Sequence, residues 1–179
     1  MKTDEVLYKG YLKVEAVEDT IKGKPVKRER LVVDDAVAGV VVDARGRYGL
    51  VKQYRPTVGV FTYELVAGTC DKGLSTMTTL LEELEEECEI PEHEVNSIHL
   101  MKQYFVMVGI SDTLMSIYEV HVSSQENKKV EDADVEEVVW VTFEEFTSMV
   151  DKGQIEDSKT LLGYYMEKSK KLQEGDGLL

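Results

Sequence analysis

The sequence is poor in cysteine and proline, and both shortages limit the class of protein. Of its 179 residues, two are cysteine and three are proline. Cys70 and Cys88 could form one disulfide on parity alone, but we favour a reduced, cytoplasmic protein. The apolar content of 42% is typical of a globular chain, and the length suits one domain with a hydrophobic core.

Positive charge is also scarce, and this bears on the partners of the protein. The chain has 21 Lys and Arg against 35 Asp and Glu, a net charge of −14. We therefore expect neither a nucleic acid nor an anionic membrane as the main partner. No apolar run approaches the length that spans a bilayer, and residues 1–11 lack the apolar segment of a secretory signal. An anionic substrate would need local Arg or Lys, or a metal ion.

Short β-type runs and three amphipathic helices predict one α+β domain of layered sheet and helices. Helices are predicted over the apolar stripe at 76–88, ending near Pro91, from Thr142, where Glu145 completes a capping box, and from Ser158. A polar loop is predicted at 123–134. Strands are predicted at 4–17 with a break at Gly10, 24–33, 36–42, 48–54, 62–67, 98–108, 114–122 and 135–141.

The first predicted helix carries a high density of acid. Glu83 and Glu87 lie one turn apart and Glu86 lies beside them, so three carboxylates can converge. No Lys or Arg lies between residues 74 and 90 to neutralise them. Like charges at this spacing cost a few tenths of a kcal/mol per pair, roughly. We interpret the cluster as a site for a hard divalent cation, Mg²⁺ or Mn²⁺, and the alternative is a solvated acidic face.

The stretch from 68 to 90 resembles the Nudix box, G-x5-E-x7-R-E-U-x-E-E-x-G-U, in which U is aliphatic. Leu74 replaces the first Glu of the pattern, Glu82 replaces the Arg, and Glu89 replaces the last Gly. The first Glu and the Arg typically pair in the family, and since both are missing here, neither partner is stranded. The residues that match the pattern are Gly68, Glu83, Leu84, Glu86, Glu87 and Ile90.

Other segments are similar to the ADP-ribose pyrophosphatase branch of that family. The resemblance implies a mixed β-sheet sandwiched between helices. It also implies two parts: an N-terminal β extension at 1–35, exchanged between the subunits of a homodimer, and a Nudix hydrolase domain at 36–179. The segments that carry the similarity are KRE at 27–29, KQYRP at 52–56, YELVAG at 63–68 and DSKT at 157–160.

The resemblance also assigns roles at the metal. Glu83, Glu86 and Glu87, together with the backbone carbonyl of Ala67, would bind Mg²⁺ or Mn²⁺. A general base would take the proton of the attacking water. Glu86 is one catalytic candidate, and the others, in the loop before the last strand, are Asp132 and Asp134.

For the substrate, the resemblance implies contacts from two parts of the chain. Arg55 would hold the diphosphate, because a planar guanidinium suits phosphate oxygens. Arg28 and Glu29 would lie near the adenine and ribose-phosphate end, contributed across the dimer. Tyr8 would stack on the base.

Two functions follow as hypotheses. The first is Mg²⁺-dependent hydrolysis of a nucleoside diphosphate sugar, with ADP-ribose cleaved to AMP and ribose 5-phosphate as the leading case. The second is a catalytically weakened Nudix domain that binds a nucleotide as a sensor or interaction module, and it is favoured by Leu74, Glu82 and Glu89. Turnover of ADP-ribose with Mg²⁺ distinguishes the two.

Overall fold

The computed structural model describes residues 2–10, 12–130 and 134–175. No helix within these ranges combines the length and the apolarity needed to cross a bilayer. The α-helices are α1 (Thr76–Cys88), α2 (Phe143–Asp151) and α3 (Ser158–Glu174), with a short 3₁₀ helix at Glu92–Glu94. The strands are β1 (Lys2–Lys9), β2 (Lys13–Ile21), β3 (Lys24–Val32), β4 (Ala36–Asp43), β5 (Tyr48–Arg55), β6 (Val60–Glu64), β7 (Val66–Thr69), β8 (Val95–Phe105), β9 (Leu114–Val122), β10 (Lys128–Lys129) and β11 (Val135–Val141).

The first three strands form an antiparallel sheet of their own. The end of β3 joins this sheet to the loop after β8. Leu31 N donates a hydrogen bond of 2.8 Å to Ile110 O, and Arg30 forms an ion pair of 2.6 Å with Asp112. The N-terminal sheet is thus anchored to the rest of the molecule at one end.

An eight-stranded mixed sheet forms the centre of the molecule. The order is β10-β11-β5-β4-β9-β8, with β6 paired to β5 and β7 paired to β4. β4 and β9 run parallel. Helix α1 packs on one face of the sheet through Leu80 and Leu84, and α2 and α3 pack on the other through Phe146 and Tyr164. The predicted α+β fold, a mixed sheet between helices, is confirmed.

Strand β4 shows why its sequence is almost entirely apolar. Val37 and Val41 belong to the core under α1, whereas Val40 and Val42 belong to the core under α2 and α3. Because helices cover both faces, successive side chains are all buried and the usual alternation with polar residues disappears.

Most predicted elements are confirmed, two of them residue for residue. These are the strands at 114–122 and 135–141. Helix α1 covers the predicted apolar stripe at 76–88 and ends at Cys88, a little before Pro91. Thr142 caps α2, and Glu145 completes the predicted capping box. Local periodicity and capping chemistry therefore defined these elements well.

Several boundaries were wrong. β2 continues to Ile21 rather than ending at 17, and β8 begins at Val95 rather than at 98. The predicted strand at 62–67 is two strands, because β6 pairs with β5 whereas β7 pairs with β4. Between them, Leu65 N donates to Thr160 Oγ1 at 2.9 Å. β8 ends at Phe105 rather than at 108, since the chain already turns at 107–110. The predicted loop at 123–134 contains the short strand β10.

Candidate functional site

Helix α1 is capped at both ends. Ser75 Oγ accepts a hydrogen bond of 3.1 Å from Thr78 N at the start, and Glu89 N donates one of 3.1 Å to Glu85 O at the end. Glu89 has φ = 49°, in the left-handed region that favours glycine. This is the position at which the box pattern has its last Gly, and the Cβ of Glu89 costs roughly 1 kcal/mol there.

Glu83 lies directly against Gly68. A Cβ built on Gly68 would be 2.0 Å from Glu83 Oε1, so only a glycine leaves room for this carboxylate. The glutamate is half-buried as a result. The first Gly of the box pattern and the first predicted metal ligand are therefore in contact, which fixes α1 against β7.

Glu87, one turn further along α1, contacts the next peptide of β7. Its Oε2 accepts a hydrogen bond of 3.3 Å from Ala67 N. The carboxylates of Glu83 and Glu87 consequently meet at the same Ala67–Gly68 segment. The residue predicted to give a carbonyl to the metal lies at that segment as well.

Glu86 differs from these two. It is exposed, and its Oε1 lies 3.9 Å from Lys72 Nζ. Across residues 2–10, 12–130 and 134–175, no three His, Cys, Asp or Glu side chains are grouped closely enough to hold a metal ion. The three glutamates are not a ready-made site, and Glu86 would have to turn away from Lys72 to join Glu83 and Glu87.

Lys72, in the loop before α1, makes a contact that the sequence analysis missed. Its Nζ lies 2.9 Å from Glu82 Oε2, and this hydrogen bond is the main reason why the pKa of Lys72 is raised. In the box pattern the loop supplies a Glu and the helix supplies an Arg. Here the cation, Lys72, is in the loop and the acid, Glu82, is in the helix. We name as the α1 cluster Lys72, Glu82, Glu83, Glu86 and Glu87.

The Arg55 side chain is bound by an acid on the neighbouring strand. Its Nε and Nη2 donate to Glu64 Oε1 and Oε2 at 2.8 and 2.6 Å, a bidentate pair. Thr62 Oγ1 donates to Glu64 Oε1 at 2.6 Å. The Glu64 side chain is only 3% exposed, while that of Arg55 keeps 42%. The bonds to Glu64 are the main cause of a raised pKa of Arg55, and the charges of Asp157 and Glu87 add to it.

A second cation reaches Glu64 from α3. Lys159 Nζ donates to Glu64 Oε2 and lies 3.1 Å from Asp157 Oδ2. Asp157 is the N-cap of α3 and accepts a hydrogen bond of 2.9 Å from Thr160 N. Burial alone would raise the pKa of Glu64, but the contacts with Arg55 and Lys159 lower it to about 2. We name as the Arg55 cluster Arg55, Thr62, Glu64, Asp157 and Lys159.

The Arg55 cluster lines an open cleft of about 670 Å³ between the β5–β6 hairpin and the start of α3. This volume lies within the range of small-molecule sites. A bidentate pair through Nε and Nη2 uses one edge of the guanidinium, so the donors on the other edge remain for an anion. The other lining residues are Thr57, Val58, Val60 and Glu156.

The residues predicted to bind the base lie on the N-terminal sheet. Arg28 and Glu29 line a pocket of about 180 Å³, and its lining residues all differ from those of the Arg55 cleft. Arg28 Nη1 donates to Lys27 O at 2.9 Å, and Tyr8 is 59% exposed. Within the described residues, Arg28 and Glu29 do not line the cleft of Arg55.

Of the two loop acids proposed as general base, the structure describes only Asp134. Asp132 lies outside the described residues. Asp134 is exposed and directly precedes β11. Since Val135 is paired with Gln53, two residues before Arg55, Asp134 lies at the same end of the sheet as Arg55.

Glu64 and Lys159 are functional candidates to which the sequence analysis gave no role. Both leave a signal in the sequence. Glu64 is an acid next to a buried apolar run, and Lys159 is a cation in the first turn of a helix, where the macrodipole disfavours positive charge. The two residues are 95 positions apart, so only the fold shows that they pair.

The donor set of the α1 cluster fits a hard divalent cation in type. The Glu87 carboxylate accepts from Ala67 N, and the Glu83 carboxylate occupies the space that Gly68 leaves beside it. Mg²⁺ and Mn²⁺ prefer such oxygen ligands. Complete ligation by three glutamates requires the side-chain rotation of Glu86 described above.

Residues 33–162 match the sequence profile of the NUDIX domain. The matched stretch begins at the end of the N-terminal sheet and includes both the α1 cluster and the Arg55 cluster.

Two named relatives and one solved structure are similar to this chain. The ADP-ribose pyrophosphatase of Bacillus subtilis (strain 168) is 29% identical over 140 residues, covering 77% of this chain and 74% of the relative. A methanol dehydrogenase activator of Bacillus methanolicus is 26% identical over 165 residues, covering 90% and 88%. The crystal structure of an ADP compounds hydrolase matches 98% of this chain and 94% of its own with a TM-score of 0.72. At 15% identity, that likeness concerns the fold alone.

Proposed function

The chain belongs to the NUDIX family, and we propose that it is a pyrophosphohydrolase that splits ADP-ribose, or a similar nucleoside diphosphate sugar, into two monophosphates. One observation carries the choice of a diphosphate substrate. Of the two carboxylates at the Ala67–Gly68 segment, Glu87 acts electrostatically on Arg55, which lines a cleft. Acids for a metal and a cation for phosphate oxygens are thus available together.

For the metal, we propose Mg²⁺, with Mn²⁺ as the alternative. Glu83, Glu87 and the Ala67 carbonyl would hold it, joined by Glu86. Such an ion, when bound, neutralises phosphate charge and lowers the pKa of water.

The protein groups then divide the remaining work. Arg55 binds the diphosphate through the edge of its guanidinium that Glu64 leaves open. Asp134 or Asp132 accepts the proton of the water that attacks phosphorus, and Glu86 is the alternative acceptor. The bond between that phosphorus and the bridging oxygen breaks, so each half of the substrate leaves as a monophosphate.

We further propose a homodimer in which the extension at 1–35 is exchanged and residues 36–179 form the hydrolase domain. Its support is that Arg28 and Glu29 lie on a separate sheet and line a pocket distinct from the Arg55 cleft. In the dimer, these residues would reach the adenine and ribose-phosphate end, and Tyr8 would stack on the base. The free thiols of Cys70 and Cys88 support a reducing, cytoplasmic location.

A substrate panel with and without Mg²⁺ tests the proposal. ADP-ribose and other nucleoside diphosphate sugars are incubated with the protein and a phosphatase, and released phosphate is measured. Nucleoside triphosphates, which the phosphatase attacks directly, are incubated without it, and their monophosphate product is measured by chromatography. Phosphatase removes phosphate from AMP and ribose 5-phosphate but not from intact ADP-ribose, so the signal requires cleavage of the diphosphate. Metal-dependent release from ADP-ribose is expected, and its absence for every diphosphate tested would contradict the proposal.

A second function is favoured by the position of Glu86 beside Lys72 and by the departures at Leu74, Glu82 and Glu89. It is a weakened NUDIX domain that binds a nucleotide and acts on another protein. The similarity to a methanol dehydrogenase activator supports the same idea. Saturable binding of ADP-ribose without turnover, measured by calorimetry, would favour this function over hydrolysis.

A further inference from the structure

The Arg55 cluster contains one more cation than a simple Arg–Glu pair needs. Glu64 accepts from Arg55, Thr62 and Lys159 at once, and it is almost completely buried. Lys159 is buried as well and comes from a different element, α3. Burying a lysine in the first turn of a helix is unfavourable both for its desolvation and for the helix macrodipole. Its contacts with Glu64 and Asp157 offset this cost.

We propose that Lys159 is a positioning residue that acts through Glu64: it fixes the carboxylate that aims the guanidinium of Arg55 at the diphosphate. The proposal rests on the proposed function, because it takes Arg55 as the group that binds the diphosphate.

The first part of the reasoning is geometric. Glu64 engages Nε and Nη2 of Arg55, which sets the plane of the guanidinium. The bond from Lys159 fixes Glu64 Oε2, the oxygen that also accepts from Nη2. When Lys159 no longer holds this oxygen, the carboxylate can rotate, and the open edge of Arg55 loses its fixed direction toward the cleft.

The second part concerns the balance of charge in the cluster. Arg55 and Lys159 bring two positive charges, and Glu64 and Asp157 bring two negative charges. Without Lys159, the guanidinium of Arg55 is drawn more strongly to the two carboxylates and away from the diphosphate. This effect also passes through Arg55.

A purely structural role for Lys159 is the alternative to exclude. The start of α3 is also attached to the sheet through Leu65 N, which donates to Thr160 Oγ1 at 2.9 Å. Under this alternative, Lys159 would do no more than help to hold the start of α3 against the sheet. The two roles differ in one respect: a positioning residue acts only while Arg55 is present.

The test is a kinetic cycle with ADP-ribose and Mg²⁺ on the full chain. The variants are Arg55→Ala, Lys159→Met, their combination, and Lys159→Arg. We expect Lys159→Met to raise KM about tenfold with kcat within about twofold, and Lys159→Arg to restore most of the difference. In the double variant KM should be no higher than in Arg55→Ala, since the effect passes through Arg55. Effects of Arg55→Ala and Lys159→Met that multiply would overturn the proposal.

Tyr48→Phe is the matched control for docking of α3. Tyr48 donates to the buried Glu167 of α3 at 2.9 Å and belongs to neither cluster. This variant should lower Tm while leaving KM for ADP-ribose unchanged. If it raises KM as much as Lys159→Met does, a loosened α3 explains the result and the positioning role is wrong. If Lys159→Met does not fold, Lys159→Gln takes its place in the cycle, because the amide keeps a polar side chain at this position and removes the charge.

Equilibrium binding keeps this inference separate from the proposed function. If the wild-type protein does not hydrolyse ADP-ribose, hydrolysis is excluded, and binding of ADP-ribose is measured by calorimetry in EDTA. The positioning role is supported if Lys159→Met raises the Kd for ADP-ribose in the wild-type background and has no effect on Kd in an Arg55→Ala background. Independent effects, or no detectable binding of ADP-ribose, overturn it.

Discussion

The two charged clusters beside the candidate site are built in opposite ways. In the Arg55 cluster, charges from β5, β6 and α3 satisfy one another, and Glu64 at its centre is buried. In the α1 cluster, Glu83 and Glu87 contact the backbone of β7, while Glu86 is exposed and its Oε1 lies 3.9 Å from Lys72 Nζ. The Arg55 cluster is therefore fixed before any substrate or metal ion binds. The α1 cluster contains a carboxylate, that of Glu86, which can change its partner.

This difference suits two kinds of ligand. Holding a diphosphate in a reactive geometry benefits from a rigid guanidinium, because the cost of ordering it has already been met by the fold. A divalent ion that enters and leaves needs a carboxylate that can turn towards it, as the exposed Glu86 can. The comparison predicts that changes in the α1 cluster affect catalysis most and that changes in the Arg55 cluster also affect folding.

The largest effect is expected from Glu87→Gln. It keeps the side-chain volume but removes a charge that the metal would require, so kcat with Mg²⁺ should fall on the order of 10³-fold. Glu85→Gln is the control, since Glu85 is exposed on the same helix and the charge change is identical. Equal losses in both variants would mean that the general charge of α1 matters and that Glu87 has no special role.

Glu64→Gln should instead weaken the fold. Because the pKa of Glu64 is lowered from 4.5 to about 2 in the folded protein, its ionised form stabilises the fold above pH 4.5 and this contribution disappears as the pH falls towards 2. The variant should lose about 3 kcal/mol of unfolding free energy at pH 7, with Arg55 and Lys159 left without their acid. Urea unfolding at pH 7 and near pH 3 measures it, and the difference from wild type should shrink at the lower pH.

Glu156→Gln is the control for this prediction. Glu156 is exposed in the same cleft wall, and its replacement should change the unfolding free energy by less than about 0.5 kcal/mol. A difference between wild type and Glu64→Gln that stays constant between pH 7 and pH 3 would show that the charge of Glu64 is not what stabilises the fold.

The two clusters also mark what could be predicted from the sequence. Helix α1 and the convergence of Glu83 and Glu87 follow from periodicity over a few turns and from one short motif, so local patterns sufficed. The pairing of Glu64 with Lys159 joins residues 95 positions apart, and no local pattern contains it. The break at Leu65 was missed for the same reason, since its partner is also on α3.

A smaller effect is expected at the end of α1. Glu89 has φ = 49°, and Glu89→Gly should raise the unfolding free energy by about 1 kcal/mol relative to Glu89→Ala, because only the alanine keeps the strained Cβ. Both variants lose the ion pair with Lys128, whose Nζ lies 3.3 Å from Glu89 Oε2, so their difference isolates the backbone. Equal stability of the two variants would show that φ at this position carries no cost.

The smallest effect is expected from Lys72→Met, and it bears most directly on the comparison. If Glu86 is free to leave Lys72 for a metal, removing the ammonium should lower the Mg²⁺ concentration for half-maximal activity by about two- to threefold at low salt. The difference should vanish at about 0.5 M salt, where exposed charges are screened. Lys152→Met, at the C-cap of α2 on the opposite face of the sheet, should change nothing. A higher Mg²⁺ requirement in Lys72→Met would instead make the pair with Glu82 a support for the loop, and the α1 cluster would then depend on its ion pairs as the Arg55 cluster does.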